Sequence, residues 1–187
     1  MTKQKINKHS SPIHEEYSPK GDRSFKIILF SVLSFFVGFG LCVGYYSYTL
    51  IDIFSLSKFL VLFAVLGFLL PLKYYRKWFH FVKYEMIIFN ILGMGPFLTG
   101  LFLVLNFTFT TDSFTHEYKI ERIYFEGEQN YQSMGVVLEN NFFSSERKIV
   151  ELTDIPPNEV MGKSLLKVTI SKGLFGFDVI KEKMLIR

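Results

Sequence analysis

The chain has 187 residues, of which 49% are hydrophobic and 20% are charged, with a formal net charge of +4. Soluble domains carry about 25% charged residues. Here the apolar residues are gathered into three uncharged runs, Ile27–Ile51, Phe59–Leu72 and Met86–Thr111, which a small soluble core could not bury. The composition excludes an ordinary soluble domain. It predicts an α+β membrane protein, with three transmembrane helices followed by a small antiparallel β domain outside the membrane.

The N-terminal segment, residues 1–26, carries six basic residues among serines and prolines and is predicted to be a disordered cytoplasmic tail. Residues 27–107 are the predicted three-helix region, and its first helix is predicted over residues 29–49. The first uncharged run has 25 residues. At about 1.5 Å per residue, such a run is long enough for a hydrocarbon core of about 30 Å.

Small residues in the first helix are spaced for close helix packing. Gly40 and Gly44 form a GxxxG pair, and Gly38 lies beside them. In lipid, small residues four apart let two backbones approach closely. Two interpretations stay open: contact with a second copy or a protein partner, and packing against the other helices of the same chain, which we favour.

The middle helix is predicted over residues 56–75. Its apolar core has only 14 residues, so a re-entrant segment is the alternative. A full crossing requires the Lys58 side chain to extend toward the headgroups. Charge favours the crossing, because cytoplasmic loops keep the excess of Lys and Arg and the loop after this segment is basic. Residues 1–107 contain eleven basic and five acidic residues, against ten and twelve in residues 108–187.

The basic loop after the middle helix reads KYYRKWFH, and its charges and rings fit the headgroup layer of an anionic inner leaflet. We expect Lys73, Arg76, Lys77 and Trp78 to be interfacial anchors on the cytoplasmic side. Nucleic-acid binding would need a basic groove on a folded domain, so no nucleic-acid partner is expected. Membrane lipid is the expected partner of this loop.

The third helix is predicted over residues 84–107. Pro96 removes one helix hydrogen bond and predicts a kink near Gly93 and Gly95. Asn90 and Thr99 could bond to a neighbouring helix. Because no charged residue or histidine lies in the middle of a span, a transporter is disfavoured. A transport component with a substrate path along the kinked helix remains the alternative.

Residues 108–115 read as a polar stalk and residues 116–187 as an extracytoplasmic β-rich domain of five or six strands, one of them KIVEL. The run 164–171 alternates apolar and polar residues and is predicted to form a hairpin with 177–185. Two loops carry apolar tips, and their four residues are candidates for contact with a partner or with lipid: Phe142, Phe143, Leu174 and Phe175. The other interpretation is that they fold back onto the core.

No catalytic, cofactor or metal site is predicted, because none of the four histidines has a helical metal-ligand spacing to another and no catalytic motif occurs. A surface enzyme using His116 is a further alternative. The expected function is a non-enzymatic, multi-pass subunit of a bacterial inner membrane that serves as an interaction module. Its N-terminus would be cytoplasmic, its C-terminal domain periplasmic or extracellular, and its partner a protein or a second copy.

Overall fold

The structure is a computed structural model that describes residues 20–78, 81, 83–126, 133–139, 147–152, 155, 160 and 162–187. Most of the predicted tail lies outside these residues. The described helices are α1 (Lys20–Tyr46), α2 (Ile53–Gly67), α3 (Leu72–Trp78), α4 (Lys83–Ile88), α5 (Gly95–Thr108) and α6 (Arg147–Val150). The described strands are β1 (Thr110–Glu126), β2 (Ser133–Leu138), β3 (Leu165–Gly173) and β4 (Asp178–Ile186). A π-helical segment, Phe89–Met94, joins α4 to α5.

Two helical stretches are long and apolar enough to cross a membrane, Ile28–Tyr46 and Lys83–Thr108. The middle helix differs from the prediction over residues 56–75. It ends at Gly67 after 15 residues, a length of about 22 Å at 1.5 Å per residue. Pro71 explains the early end, because its ring would clash with the carbonyl of Gly67 if the helix continued. The chain turns at residues 68–71 and restarts as α3.

The long helical stretch Lys83–Thr108, which we call the third long helix, lies between α1 and α2. Aromatic pairs show the relative directions. Phe30 stacks near Phe89, and Tyr45 meets Phe107 edge-on, so α1 runs parallel to this stretch. Along α2 the order is reversed, since Phe59 stacks on Phe102 while Gly67 meets Asn90. The three helices therefore run alternately up, down and up. The sheet lies at one end, and α3 with the start of α4 lies at the other, which we call the far end.

The π-helical segment lies where the sequence predicts a kink. The amide of Gly95 donates to the carbonyl of Asn90, five residues earlier. Pro96 has no N–H to donate and its ring would crowd the carbonyl four residues before it. A wider turn just before the proline accommodates both effects.

The sheet has four described strands in the order β2-β1-β3-β4, and every pairing is antiparallel. The hairpin predicted from the alternating run is confirmed as β3 and β4. One face of the sheet is covered by a core that contains Tyr118, Val136, Ile149, Leu166 and Val168. The expected five or six strands become four in the described part of the chain.

Two predicted segments differ in the structure. The expected stalk, residues 108–115, is mostly strand: β1 begins at Thr110, and Ser113 pairs with Ser171 on β3. Its polar side chains suggested a linker, but the backbone pairing does not depend on them. The KIVEL run begins in α6 rather than in a strand, and the core buries Ile149 and Val150 in this helix and Leu152 just after it without needing a strand.

Candidate functional site

The connection between α1 and α2 pairs with the edge of the sheet. The amide of Leu50 donates to the Asp178 carbonyl at 2.8 Å, and the amide of Ile180 donates to the Tyr48 carbonyl at 2.7 Å. Between these bonds Thr49 lies opposite Val179, and both side chains are fully buried. The helix connection therefore acts as a short additional strand beside β4.

Lys148 ties α6 to the same connection. Its Nζ donates to the carbonyls of Thr49 and Ile51, each at 2.6 Å, and lies 3.4 Å from the centre of the Tyr46 ring. Hydrogen bonds from a charged donor are stronger than those between neutral groups, and an ammonium over an aromatic face adds further attraction. Lys148 is thus a second link between the helices and the sheet.

Two lysines of β4 bind carbonyls near the ends of helices. Lys183 donates to the carbonyls of Lys148 and Glu151 at the end of α6. Lys181 donates to the Phe107 carbonyl in the last turn of α5 and lies 4.0 Å from the centre of that ring. The C-terminal end of a helix carries partial negative charge, which favours a cation there.

A cleft of about 190 Å³ opens at this junction, and Ser47, Tyr48, Lys148, Glu151, Lys181 and Glu182 are among its lining residues. The lining mixes both signs of charge. Its three lysines, including Lys183, already donate to backbone carbonyls. The cleft therefore belongs to the contact between helices and sheet.

Asn106 holds the loop between β3 and β4. Its Nδ2 donates to the Phe177 carbonyl at 2.9 Å, and its Oδ1 accepts from the Phe175 amide at 2.9 Å. The Asn106 side chain is fully buried. Any Cβ on Gly173 would overlap the Asn106 amide group, so glycine is required there.

Aromatic rings of the same loop pack against aromatic rings of the helices. Phe102 lies between Phe59, with ring centroids 4.7 Å apart, and Phe175, at 4.5 Å. Phe177 meets Phe102 edge-on. Phe175 thus folds back onto the helices while remaining 45% exposed, and Leu174 beside it is 55% exposed. The other predicted tip, Phe142 and Phe143, lies outside the described residues.

A buried polar group lies at the far end of the helices. The Tyr75 hydroxyl is 2.7 Å from the Gly67 carbonyl and 3.0 Å from Oδ1 of Asn90. Asn90 is fully buried, and its Nδ2 has no hydrogen-bond partner within the described residues. Thr99, also fully buried, donates to the carbonyl of Gly95 in its own helix. Both predicted polar residues thus lie in the seam between helices.

The predicted packing residues fall into two groups. Gly38 is buried where α1 crosses the backbone of Pro96 and the residue after it, and a Cβ there would overlap that backbone. A Cβ on Gly95 would lie 3.2 Å from Ala64, and one on Gly93 would lie 3.3 Å from the Phe89 ring. These residues therefore pack within the chain.

Gly40 and Gly44 behave differently, because nothing lies within 4 Å of a Cβ placed on either. Their helix face points away from the other described helices.

The predicted interfacial anchors lie on α3 at the far end. Lys73, Arg76 and Lys77 are exposed there, and the Trp78 side chain lies outside the described part of the structure.

His116 is exposed on β1, in a row of rings that runs from the exposed Phe114 to the buried Tyr118. Its ring is 5.3 Å from that of Phe114 and 5.8 Å from that of Tyr118, and it is paired across the sheet with Val168. Among the described residues, no group of three or more His, Cys, Asp or Glu side chains is arranged to hold a metal ion.

Sequence reasoning missed Asn106, Lys148 and Gly100. Asn106 is the last polar side chain of the predicted third helix, residues 84–107, which was a usable signal. Gly100 packs against the Gly38 carbonyl, since a Cβ there would lie 2.7 Å from that oxygen. Lys148 gave no signal, because its partners are 97 and 99 residues away.

Asp52 and Lys119, both outside the long apolar helices, have displaced pKa values. Asp52 is the N-cap of α2, and its Oδ1 accepts from the Ser55 amide at 2.8 Å. Hydrogen bonding from Ser55 lowers the pKa of the Asp52 carboxyl. On the sheet, the carboxylate of Glu139, 2.8 Å from the Lys119 ammonium, raises the pKa of Lys119.

Comparison of this chain with protein-family models, with curated proteins and with solved structures found no match.

Proposed function

We propose that the chain is a non-enzymatic integral membrane subunit. Three helices would anchor it, and its β domain would contact protein or envelope partners outside the membrane. The observation that carries the proposal is the apolar surface left on the helices: Phe36, Phe54 and Leu69 are 64%, 69% and 73% exposed. Such a surface is stable only against lipid or an apolar partner.

The alternating directions of the helices support three crossings. α2 is short, but the turn after it continues the apolar surface with Phe68, Leu69 and Leu70. Lys58 lies 4.3 Å from the Phe54 ring, one turn back toward the start of α2. That direction leads to the sheet end, as expected for a lysine that reaches toward water.

Charge supports the orientation. The exposed Lys73, Arg76 and Lys77 lie at the far end, away from the sheet. Under the positive-inside rule, that end would face the cytoplasm of a bacterial cell. The sheet would then lie in the periplasm or outside the cell.

Direct hydrogen bonds between the sheet and the helices support a role as a subunit that presents its β domain in one position. Hydrogen bonds from Asn106, Lys148 and the helix connection join the domain to the helices directly. The open face at Gly40 and Gly44 would suit a helix of a partner or of a second copy, because small residues there permit close approach.

Single-cysteine labelling tests the anchoring and orientation. Cys42 is the only cysteine, and Cys42→Ala provides a background for Lys77→Cys and Glu182→Cys, both at exposed positions. In intact spheroplasts, a membrane-impermeant maleimide should label position 182 and should label position 77 only after lysis. Equal labelling of both positions before lysis would contradict the proposal.

Photocrosslinking tests the partner. A photoreactive residue at Val43, beside the glycines and 59% exposed, should give a discrete adduct in membranes. Gly40→Ile with Gly44→Ile should abolish that adduct while labelling at position 182 is retained. A photoreactive residue at Val61 on α2, also 59% exposed, is the control for random lipid-phase collisions. Adducts that are equal at both positions and unaffected by the isoleucines would rule out this partner contact.

A further inference from the structure

The loop between β3 and β4 extends below the end of the helix on which it rests. Phe175 stacks on Phe102, six residues before α5 ends at Thr108. At 1.5 Å per residue, the tip lies about 9 Å along α5 from its end. On the other side of Phe102, Phe59 is six residues inside α2, which begins at Ile53. The tip is therefore equally far from the end of α5 and from the start of α2.

Several backbone groups of the loop are hydrogen-bonded within the protein. The Phe175 amide donates to Asn106, and the Phe177 carbonyl accepts from it. The amide of Gly173 donates to the Phe177 carbonyl at 3.1 Å, and that of Gly176 donates to the Gly173 carbonyl at 2.9 Å. Non-helical backbone in a lipid layer requires such internal partners, because hydrocarbon offers none.

The side chains of the loop are apolar where they leave the protein. Leu174 and Phe175 are about half exposed, and the nearby Phe109, just after α5, is 57% exposed. Gly176 completes the tight turn with a φ of +83°, which favours glycine. The loop therefore combines internal backbone hydrogen bonds with outward apolar side chains.

We propose that the loop 173–177 is inserted into the acyl and glycerol region of the outer leaflet, with Leu174 and Phe175 in contact with lipid. The inference rests on the proposed function, since it requires the helices to cross the bilayer. With the end of α5 at the membrane surface, the distance of about 9 Å from that end agrees with the depth of interfacial apolar elements, about 5–10 Å. The sheet would then be anchored by lipid as well as by the helices, which limits its tilt against the membrane.

A fluorescence-quenching experiment in proteoliposomes tests the insertion. Leu174→Cys in the Cys42→Ala chain is labelled with an NBD fluorophore and reconstituted in phosphatidylcholine. Doxyl groups near the top of the acyl chain should quench it. Aqueous iodide should quench it about ten-fold less than the control Met184→Cys, because a charged quencher is excluded from the apolar layer. Met184 lies on the same hairpin, far from the tip, and is 47% exposed.

A third label separates this inference from the proposed function. Val37→Cys, in the middle of the first apolar helix and 44% exposed, should be quenched by deep doxyl groups whenever the helices cross the bilayer. If Val37 is quenched by lipid but Leu174 responds to iodide as Met184 does, the insertion is wrong and the anchoring stands. If the label at Val37 is also quenched by iodide, both the loop insertion and the membrane anchoring are wrong.

Discussion

At the scale of single residues, Asn106 carries the contact between helix and hairpin. Its amide satisfies one backbone donor and one backbone acceptor of the loop while being fully buried itself. A polar group buried without a partner costs about 1–3 kcal/mol. The effect of losing Asn106 is therefore set mainly by the loop groups that it would leave unsatisfied.

We predict that Asn106→Leu lowers the free energy of unfolding by about 2–5 kcal/mol, because two backbone groups lose their partners. SDS titration in mixed micelles measures it. Thr99→Val is the control. It removes one buried hydroxyl that bonds only within its own helix, and it should cost about 1 kcal/mol. Equal losses for the two variants would show that the Asn106 bonds do not stabilise the junction.

Asp52 makes the second prediction at this scale. Its folded-state pKa is lowered by Ser55, so its contribution to stability is complete above the unfolded-state pKa and is lost as pH falls through the folded-state pKa. Asn is as good an N-cap as Asp. Asp52→Asn should therefore match the parent thermal midpoint near neutral pH and lose less stability than the parent below pH 3.8, the ordinary pKa. Parallel acid profiles would contradict this.

At the scale of elements, the contact between α1 and the third long helix depends on two crossing glycines. Gly38 and Gly100 let the backbones approach so closely that neither has room for a Cβ. The GxxxG pair next to them does not take part. The spacing alone could not distinguish these two faces of α1, because both carry small residues at helical intervals.

The matched pair Gly38→Ala and Gly40→Ala tests which face is packed. We predict that Gly38→Ala destabilises the helices by about 1–3 kcal/mol, since the added methyl group overlaps a backbone that cannot move freely. Gly40→Ala should leave the free energy of unfolding within about 1 kcal/mol of the parent. Unfolding in mixed micelles gives both values. A larger loss for Gly40→Ala than for Gly38→Ala would show that the packed face of α1 is the one that carries Gly40.

At the scale of the whole molecule, the sheet and the helices are coupled by contacts distant in sequence. Lys148 is the clearest case, since one ammonium group binds two carbonyls of the helix connection. Lys148→Met keeps most of the side-chain stem and removes the charge. We predict faster hydrogen exchange at the Leu50 and Ile180 amides, by a factor equivalent to about 2–3 kcal/mol.

Lys119→Met is the control for that measurement. Its ion pair with Glu139 is exposed and lies on the opposite part of the sheet, where surface pairs contribute little. Exchange at Leu50 and Ile180 should stay at the parent rate. If Lys148→Met also leaves that rate unchanged, backbone pairing alone holds the junction.

The sequence by itself determined that long apolar helices come first and that a β-rich part follows them. Long uncharged runs require helices with apolar surfaces, and the alternation in residues 164–171 predicts a strand, because both patterns follow from local geometry. Proline likewise located the irregular turn near Gly95. Pro71 is also a local signal, which could have placed the end of the middle helix at Gly67. The tertiary structure decided what depends on distant partners: that the predicted stalk is a strand paired with β3, and that KIVEL begins in a helix.

The tertiary structure alone also decided which polar residue joins the helices to the sheet. Asn90, Thr99 and Asn106 look alike in sequence, as single polar groups in an apolar run. Asn106 differs because a hairpin about 70 residues later brings two unsatisfied backbone groups to it. Periodicity reports which side of an element is apolar, whereas the choice among equivalent polar groups is made by long-range hydrogen bonding, which no local pattern encodes.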